Sequence, residues 1–256
     1  MVVMQNGVDF PRGRADQALV DRIMGELHIP KEHPVYLFVG RLRWYKGIRE
    51  ILDGLHGIKK DGKEFTVVFV GQGEDQGEME AYAKELGLAG NCRFPGPVHD
   101  RELLRGYYSM ADLFLFPSSY DTYGLVVREA AACGTASILA RGSCAAEGAV
   151  DGENSFLVEE TGDSVYQCLA RVGHDRALLT QVGHRAQETL YVPWEDSVAR
   201  ARERYDIVMD RYIAGDTGRT FEWTDEFFNA MDEICGKVSW ARRQGKSLRD
   251  KFTSYF

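Results

Sequence analysis

Residues 111–134 read ADLFLFPSSYDTYGLVVREAAACG, and the fold turns on how this stretch is divided. The apolar run Leu113 to Phe116 breaks at Pro117 and gives way to a polar loop. From Gly124 to Cys133 small and apolar residues recur at helical spacing. The stretch therefore reads as strand, loop, helix. Asp121 falls in the loop, and Glu129 lies about one and a half turns into the helix at ~3.6 residues per turn. Between them the amides of Gly124, Leu125 and Val126 are expected to be free, because first-turn N–H groups have no partner inside a helix and attract phosphate. An acid for sugar hydroxyls, bare amides for phosphate and an acid for ribose hydroxyls would suit a nucleotide sugar. A plainer reading stays open on this stretch alone. In it Glu129 complements the helix dipole, Asp121 caps a turn and Gly124 eases a tight corner.

On either side the same unit repeats. NGVDFPRGRADQ at the start is turn chemistry, followed by a short amphipathic helix to about Leu27. PVYLFVG (34–40) is an unbroken apolar run of the kind found in strands buried on both faces of a parallel sheet. A helix over 46–60 puts Ile48, Ile51, Leu52, Leu55 and Ile58 on one face. Strand and helix follow again at 65–71 and 76–86, then a short strand at 92–94 and a helix at 101–109. Beyond the central helix come strands at 135–140 and 155–158, with helices to about Ala214. Strands alternating with helices predict an α/β fold, a doubly wound parallel sheet of Rossmann-like type occupying residues 1–214. Ligands of such sheets bind beyond the carboxyl ends of the strands.

The loop GRLRWYKG (40–47) supplies a second phosphate candidate. Arg41 and Lys46 stand between a strand end and a helix start, where cations are unfavourable unless an anion sits between them. Arg41 offers a planar fork and Lys46 a mobile point charge. The glycine cluster VGQGEDQG (70–77) lacks the spacing of a dinucleotide fingerprint, and Glu74 and Asp75 would repel a pyrophosphate. It reads as a β–α corner with helix-capping acids.

Residues 215–256 differ in character and predict a helical C-terminal extension. Phe221, Trp223, Phe227, Met231, Ile234 and Val238 recur at roughly helical spacing. This face either packs on its own domain or meets a surface supplied from elsewhere. The terminal WARRQGKSLRDKF carries five basic residues among aromatics, the composition of a peripheral membrane contact as well as of a solvated helix end.

Composition narrows the function classes. A 44% hydrophobic content supports a substantial core, and a net charge of −8 argues against a nucleic-acid partner. No apolar run approaches the ~20 residues of a membrane span, and the start lacks signal-peptide character. The five cysteines are scattered, which predicts neither a disulfide framework nor a zinc site and points to a reducing, cytoplasmic setting. Cys133, among alanines, reads as a small core residue.

Six stretches in order resemble the retaining glycosyltransferases of family four, whose GT-B architecture has two facing Rossmann-like domains. They are NGVD, FVGRLRWYKG, VVFVGQGED, FPGPV, the central 111–134 stretch and DGENSFLV (151–158), and the resemblance covers residue 6 to about 214. The resemblance implies that Arg41 and Lys46 neutralise the donor diphosphate, that Glu129 holds the ribose and that Asp121 contacts the donor sugar. Tyr123, Gly124, Leu125 and Val126 match the phosphate-facing helix start. Phe94, Pro97 and Val98 match the wall around the nucleobase, and Gly40 ends the first strand close to the donor. The implied activity is transfer of a hexose from a nucleotide-diphosphate sugar, by resemblance UDP-linked, to an acceptor hydroxyl with retention, without cofactor or metal. The acceptor, a sugar or a lipid, stays open, as does attachment at the inner membrane face. Two departures are visible: Asp121 stands where the family usually has Glu, and Ser155 where glycine is common. By the same resemblance the chain starts at the family's C-terminal domain, so the N-terminal, acceptor-binding domain is expected to be missing. Two other classes compete: a non-catalytic nucleotide-binding fragment or partner-docking subunit, and an epimerase of the same architecture.

Overall fold

In the computed structural model residues 6–214 are described, and six strands form one fully parallel sheet among them. The strands are β1 (Val35–Val39), β2 (Thr66–Val70), β3 (Cys92–Gly96), β4 (Leu113–Phe116), β5 (Ala136–Ala140) and β6 (Phe156–Val158). Their order is β3-β2-β1-β4-β5-β6. Every residue of β1, β2, β4 and β5 is buried, which is why these strands carry no polar alternation. The intervening helices are α1 (Gln17–Glu26), α2 (Ile48–Lys60), α3 (Gln76–Glu85), α4 (Arg101–Met110) and α5 (Leu125–Ala132), then α6 (Gly162–Val172), α7 (Arg176–Thr189) and α8 (Trp194–Ile213).

The predicted apolar face of α2, Ile48, Ile51, Leu52, Leu55 and Ile58, is fully buried. Aromatic rings tie the strands across the sheet. Phe38 of β1 lies 6.0 Å from both Phe69 of β2 and Phe116 of β4, and Phe94 of β3 stacks on Phe69 at 5.1 Å. Cys133 is buried as a core residue. The third strand reaches Gly96, two residues beyond its expected end, because the Gly71 amide still donates to the Gly96 carbonyl. The compact unit ends at Val198, and α8 passes from it into the second unit, which begins at Ala199. No residue of α8 is buried. Residues 215–256, where the sequence predicts the helical extension and its basic end, lie outside the described residues. Among the described residues no helix is long and apolar enough to cross a membrane.

Strand order decides where a ligand can sit. The chain moves outward from β1 to β3, returns to place β4 on the other side of β1, and proceeds to β6. Successive connections therefore leave β1 and β4 in opposite directions, opening a crevice at their carboxyl ends. The loops after these two strands, 40–47 and 117–124, flank that crevice.

Candidate functional site

The loop after β1 is anchored before it reaches the crevice. Leu42 is fully buried, and its amide donates to the Gln72 carbonyl at 3.0 Å. Arg43 pairs with Glu74 at 2.6 Å and Asp75 at 3.3 Å. The Trp44 amide donates to Asp75 at 3.0 Å, and its indole N–H donates to Glu78 at 3.1 Å. Asp75 occupies the N-cap position of α3 but makes no side-chain cap bond there. The expected capping role is thus corrected: Glu74 and Asp75 grip the neighbouring loop. Gly71 and Gly73 serve the same close approach, since a Cβ on either would meet the Gly40 or Leu42 carbonyl oxygen.

A 3-10 turn, Trp44–Lys46, then carries Lys46 across to the loop after β4. Gly47 follows at φ +77°, with its Cα against the Pro117 carbonyl so closely that any side chain would collide. Ser118 Oγ donates to the Tyr45 carbonyl at 3.3 Å. Lys46 Nζ donates to Asp121 Oδ2 at 2.7 Å and approaches the Tyr120 carbonyl at 3.4 Å. The two side chains are only 15% and 19% exposed. Asp121 Oδ1 accepts the amides of Tyr123 at 3.2 Å and Gly124 at 2.9 Å. Burial alone would raise the Asp121 pKa, but the Lys46 bond and these two amides hold it below the ordinary carboxylate value.

The helix start is thereby revised. The Gly124 amide, expected to be free, is taken by Asp121. Lys46, expected to await an anion, already has one anionic partner. The amides of Leu125 and Val126 make no hydrogen bond among the described residues. Gly124 adopts φ +64°, and a Cβ there would stand 2.6 Å from that of Ala145.

Gly40, Arg41, Lys46, Asp121 and Val126 meet around one cavity of about 370 Å³. Arg41 is exposed, and its guanidinium has no partner among the described residues. It also borders a second cavity of about 460 Å³ beside Gln72 and Gly73. The first cavity is further lined by Tyr45, Phe116, Tyr120 and Thr122. Sequence reasoning did not single these out, although Tyr45 and Tyr120 lie beside Lys46 and Asp121 in the chain. Their rings meet edge to face at 6.4 Å.

The other expected residues stand apart from this cavity. Tyr123 turns its hydroxyl to the Asn6 carbonyl at 2.6 Å, and Leu125 is about half exposed. Phe94 and Val98 pack against the core and Pro97 is exposed. Glu129 is half-buried on α5, where its Oε2 accepts the Tyr108 hydroxyl at 2.8 Å. Burial raises its pKa, with the Tyr108 bond and Arg101 acting in the opposite direction. The described residues contain no group of three or more His, Cys, Asp or Glu side chains arranged to hold a metal ion.

The cavity thus presents a free guanidinium, an ammonium with a remaining N–H, and two bare amides nearby at a positive helix end. These are groups that receive an anion. An all-parallel, doubly wound sheet with such groups at its switch point defines a Rossmann-like unit of the kind paired in GT-B enzymes. The profile of the glycosyl transferases group 1 matches residues 20–189, and the chain belongs to that family.

Among curated relatives, D-inositol 3-phosphate glycosyltransferase from Geodermatophilus obscurus is 30% identical over 223 residues, 83% of this chain and 48% of that protein. The 2-deoxystreptamine glucosyltransferase of Streptomyces kanamyceticus is 32% identical over 134 residues, 52% of this chain and 34% of that protein. The chain thus spans about half the length of the curated relatives it matches, or less. Among solved structures, HepE from Anabaena, in complex with UDP and glucose, superposes with a TM-score of 0.70 at 20% identity, covering 80% of this chain and 56% of HepE. The C-terminal domain of LpcC, a glycosyl transferase group 1 family protein from Francisella tularensis, gives 0.60 at 25% identity, covering 71% of this chain and 95% of that domain.

Proposed function

We propose that this chain is the donor-binding part of a retaining hexosyltransferase that takes a nucleotide-diphosphate sugar, UDP-linked by analogy with the HepE complexes. The observation that carries the reading is the meeting of Arg41 and Lys46 with Val126, at the start of α5, around one cavity at the β1/β4 switch point. In the reaction an acceptor hydroxyl attacks the anomeric carbon on the face from which the diphosphate departs, so configuration is kept. Negative charge grows on the leaving diphosphate. The spare N–H of Lys46 and the Leu125 and Val126 amides are held in place to receive it, and the free Arg41 guanidinium adds its charge. Glu129 takes the ribose hydroxyls. Positioning of the acceptor against the donor contributes as much as charge stabilisation in such a step. In GT-B enzymes the acceptor is held by the facing domain. The free cysteines among the described residues fit a reducing, cytoplasmic setting.

Calorimetric titration with UDP tests the reading. A charge-assisted hydrogen bond is worth about 1.5–3 kcal/mol, so Arg41→Ala and Lys46→Ala should each weaken UDP binding by roughly 10-fold or more. Unchanged affinity in both variants would remove the assigned phosphate site. Assaying UDP-glucose with candidate sugar and lipid acceptors for transfer tests the activity itself.

A further inference from the structure

We infer that Asp121 is a positioning residue: it fixes the Lys46 ammonium and the first turn of α5 toward the diphosphate, and does not read the sugar. The inference rests on the donor-binding reading above and assigns Asp121 a different task from the sugar contact that the resemblance implies.

Hydrogen-bond capacity is the first ground. A carboxylate offers about four lone-pair sites over its two oxygens. Oδ1 spends its pair on the Tyr123 and Gly124 amides, and Oδ2 accepts Lys46. One site is left for any sugar hydroxyl. The second ground is the length of the side chain. Asp can bond the amides two and three residues ahead of itself, the reach of an Asx turn. A Glu at this position would extend farther into the crevice and lose that local fit. The third ground is Lys46 itself. A lysine side chain is rich in rotamers, and anchoring to Asp121 restricts that freedom before the ligand arrives. Its three N–H groups are then divided between Asp121, the Tyr120 carbonyl and the cavity. The ring of Phe116 lies 5.8 Å from Nζ and closes the apolar side.

The experiment compares ligands with and without the sugar. Asp121→Asn keeps an acceptor for the two amides and removes the charge that holds Lys46, so the cap and the fold are preserved. UDP and UDP-glucose are titrated into the full-length wild type, Asp121→Asn, Lys46→Met and the double variant. Asp121→Asn should weaken both ligands by the same factor, about 5- to 10-fold. The double variant should match Lys46→Met alone, because residues acting through one contact are not additive. A loss confined to UDP-glucose overturns the inference, as does an unchanged or tighter Kd for both ligands, or an additive loss in the double variant. If the wild type binds neither ligand, the donor-binding reading falls and takes the inference with it. The selective UDP-glucose loss removes the inference alone.

Discussion

Asp121 and Glu129 share the entrance of α5 yet sit in opposite electrostatic settings. Lys46 and two amides hold Asp121 below the ordinary carboxylate value, while burial lifts Glu129 above it. For Asp121, stability gained from ionisation is present above the unfolded pKa and is lost as pH falls through the lower folded one. For Glu129 the sign reverses, so its contribution is complete below the unfolded pKa and disappears as pH rises through the higher folded one. In the proposed role Glu129 accepts the ribose hydroxyls in its ionised form. UDP-glucose affinity should therefore weaken on acidification at a pH above the usual glutamate range. UDP-glucose is the suitable probe because its diphosphate is esterified at both ends and does not titrate nearby. Tyr108→Phe removes a hydrogen bond that favours the ionised form, so the midpoint should move upward. Glu129→Gln should flatten that limb and weaken binding roughly 10-fold, the scale of a charged hydrogen bond. It should not lower the urea midpoint at neutral pH, because a buried charge is removed while the Tyr108 acceptor remains. Titrations across the acidic range with a parallel urea series check all three; a wild-type profile in Glu129→Gln would sink the assignment. The spacing of these two acids was legible in the chain. Their partners were not: Lys46 is 75 residues from Asp121 and Tyr108 is 21 from Glu129, and no local pattern links them.

At the scale of elements, the crevice depends on glycines that let two loops approach. Gly47 lies against the Pro117 carbonyl at φ +77°, and Gly124 against Ala145 at φ +64°. Gly62 shares the left-handed backbone, φ +71°, but has open space where a Cβ would go. The three positions therefore separate backbone cost from collision. Gly62→Ala should cost about 1 kcal/mol, the left-handed penalty alone. Gly47→Ala and Gly124→Ala should each cost about 2 kcal/mol or more, because overpacking is added. Those two should also weaken UDP binding, while Gly62→Ala leaves it unchanged. Urea unfolding and UDP titration of the three variants decide the matter, and equal costs at all three sites would refute the loop-contact account. Element positions were readable because hydrophobic periodicity is local: the α2 face was named residue by residue from the sequence and is buried in full. The role of VGQGEDQG was only half readable. Its spacing and charge argue against a phosphate cradle. That Asp75 would hold the loop after β1, and leave its own helix uncapped, depends on β1 and β2 being neighbours.

At the scale of the whole molecule, alternating strands and helices gave the parallel α/β class, because only crossover helices can return the chain between parallel strands. The strand order itself was not written in any stretch. It arises when the chain reverses to place β4 beside β1, and this reversal turns two separate loops into one site. A ligand seated there touches elements from both halves of the sheet, so it should stabilise the unit 6–198 as a whole and not one loop. By mass action, ligand at 100 times its Kd adds about 2.7 kcal/mol. For a domain near 200 residues each kcal/mol moves Tm by about 2–4 °C. UDP at that concentration should thus raise Tm by about 5–10 °C in the wild type. Lys46→Ala at the same UDP concentration should lose about half of the shift or more, because a roughly 10-fold higher Kd lowers the saturation term to about 1.4 kcal/mol. Equal shifts in both proteins would mean that UDP binds elsewhere, and the β1/β4 crevice would lose its claim to the diphosphate.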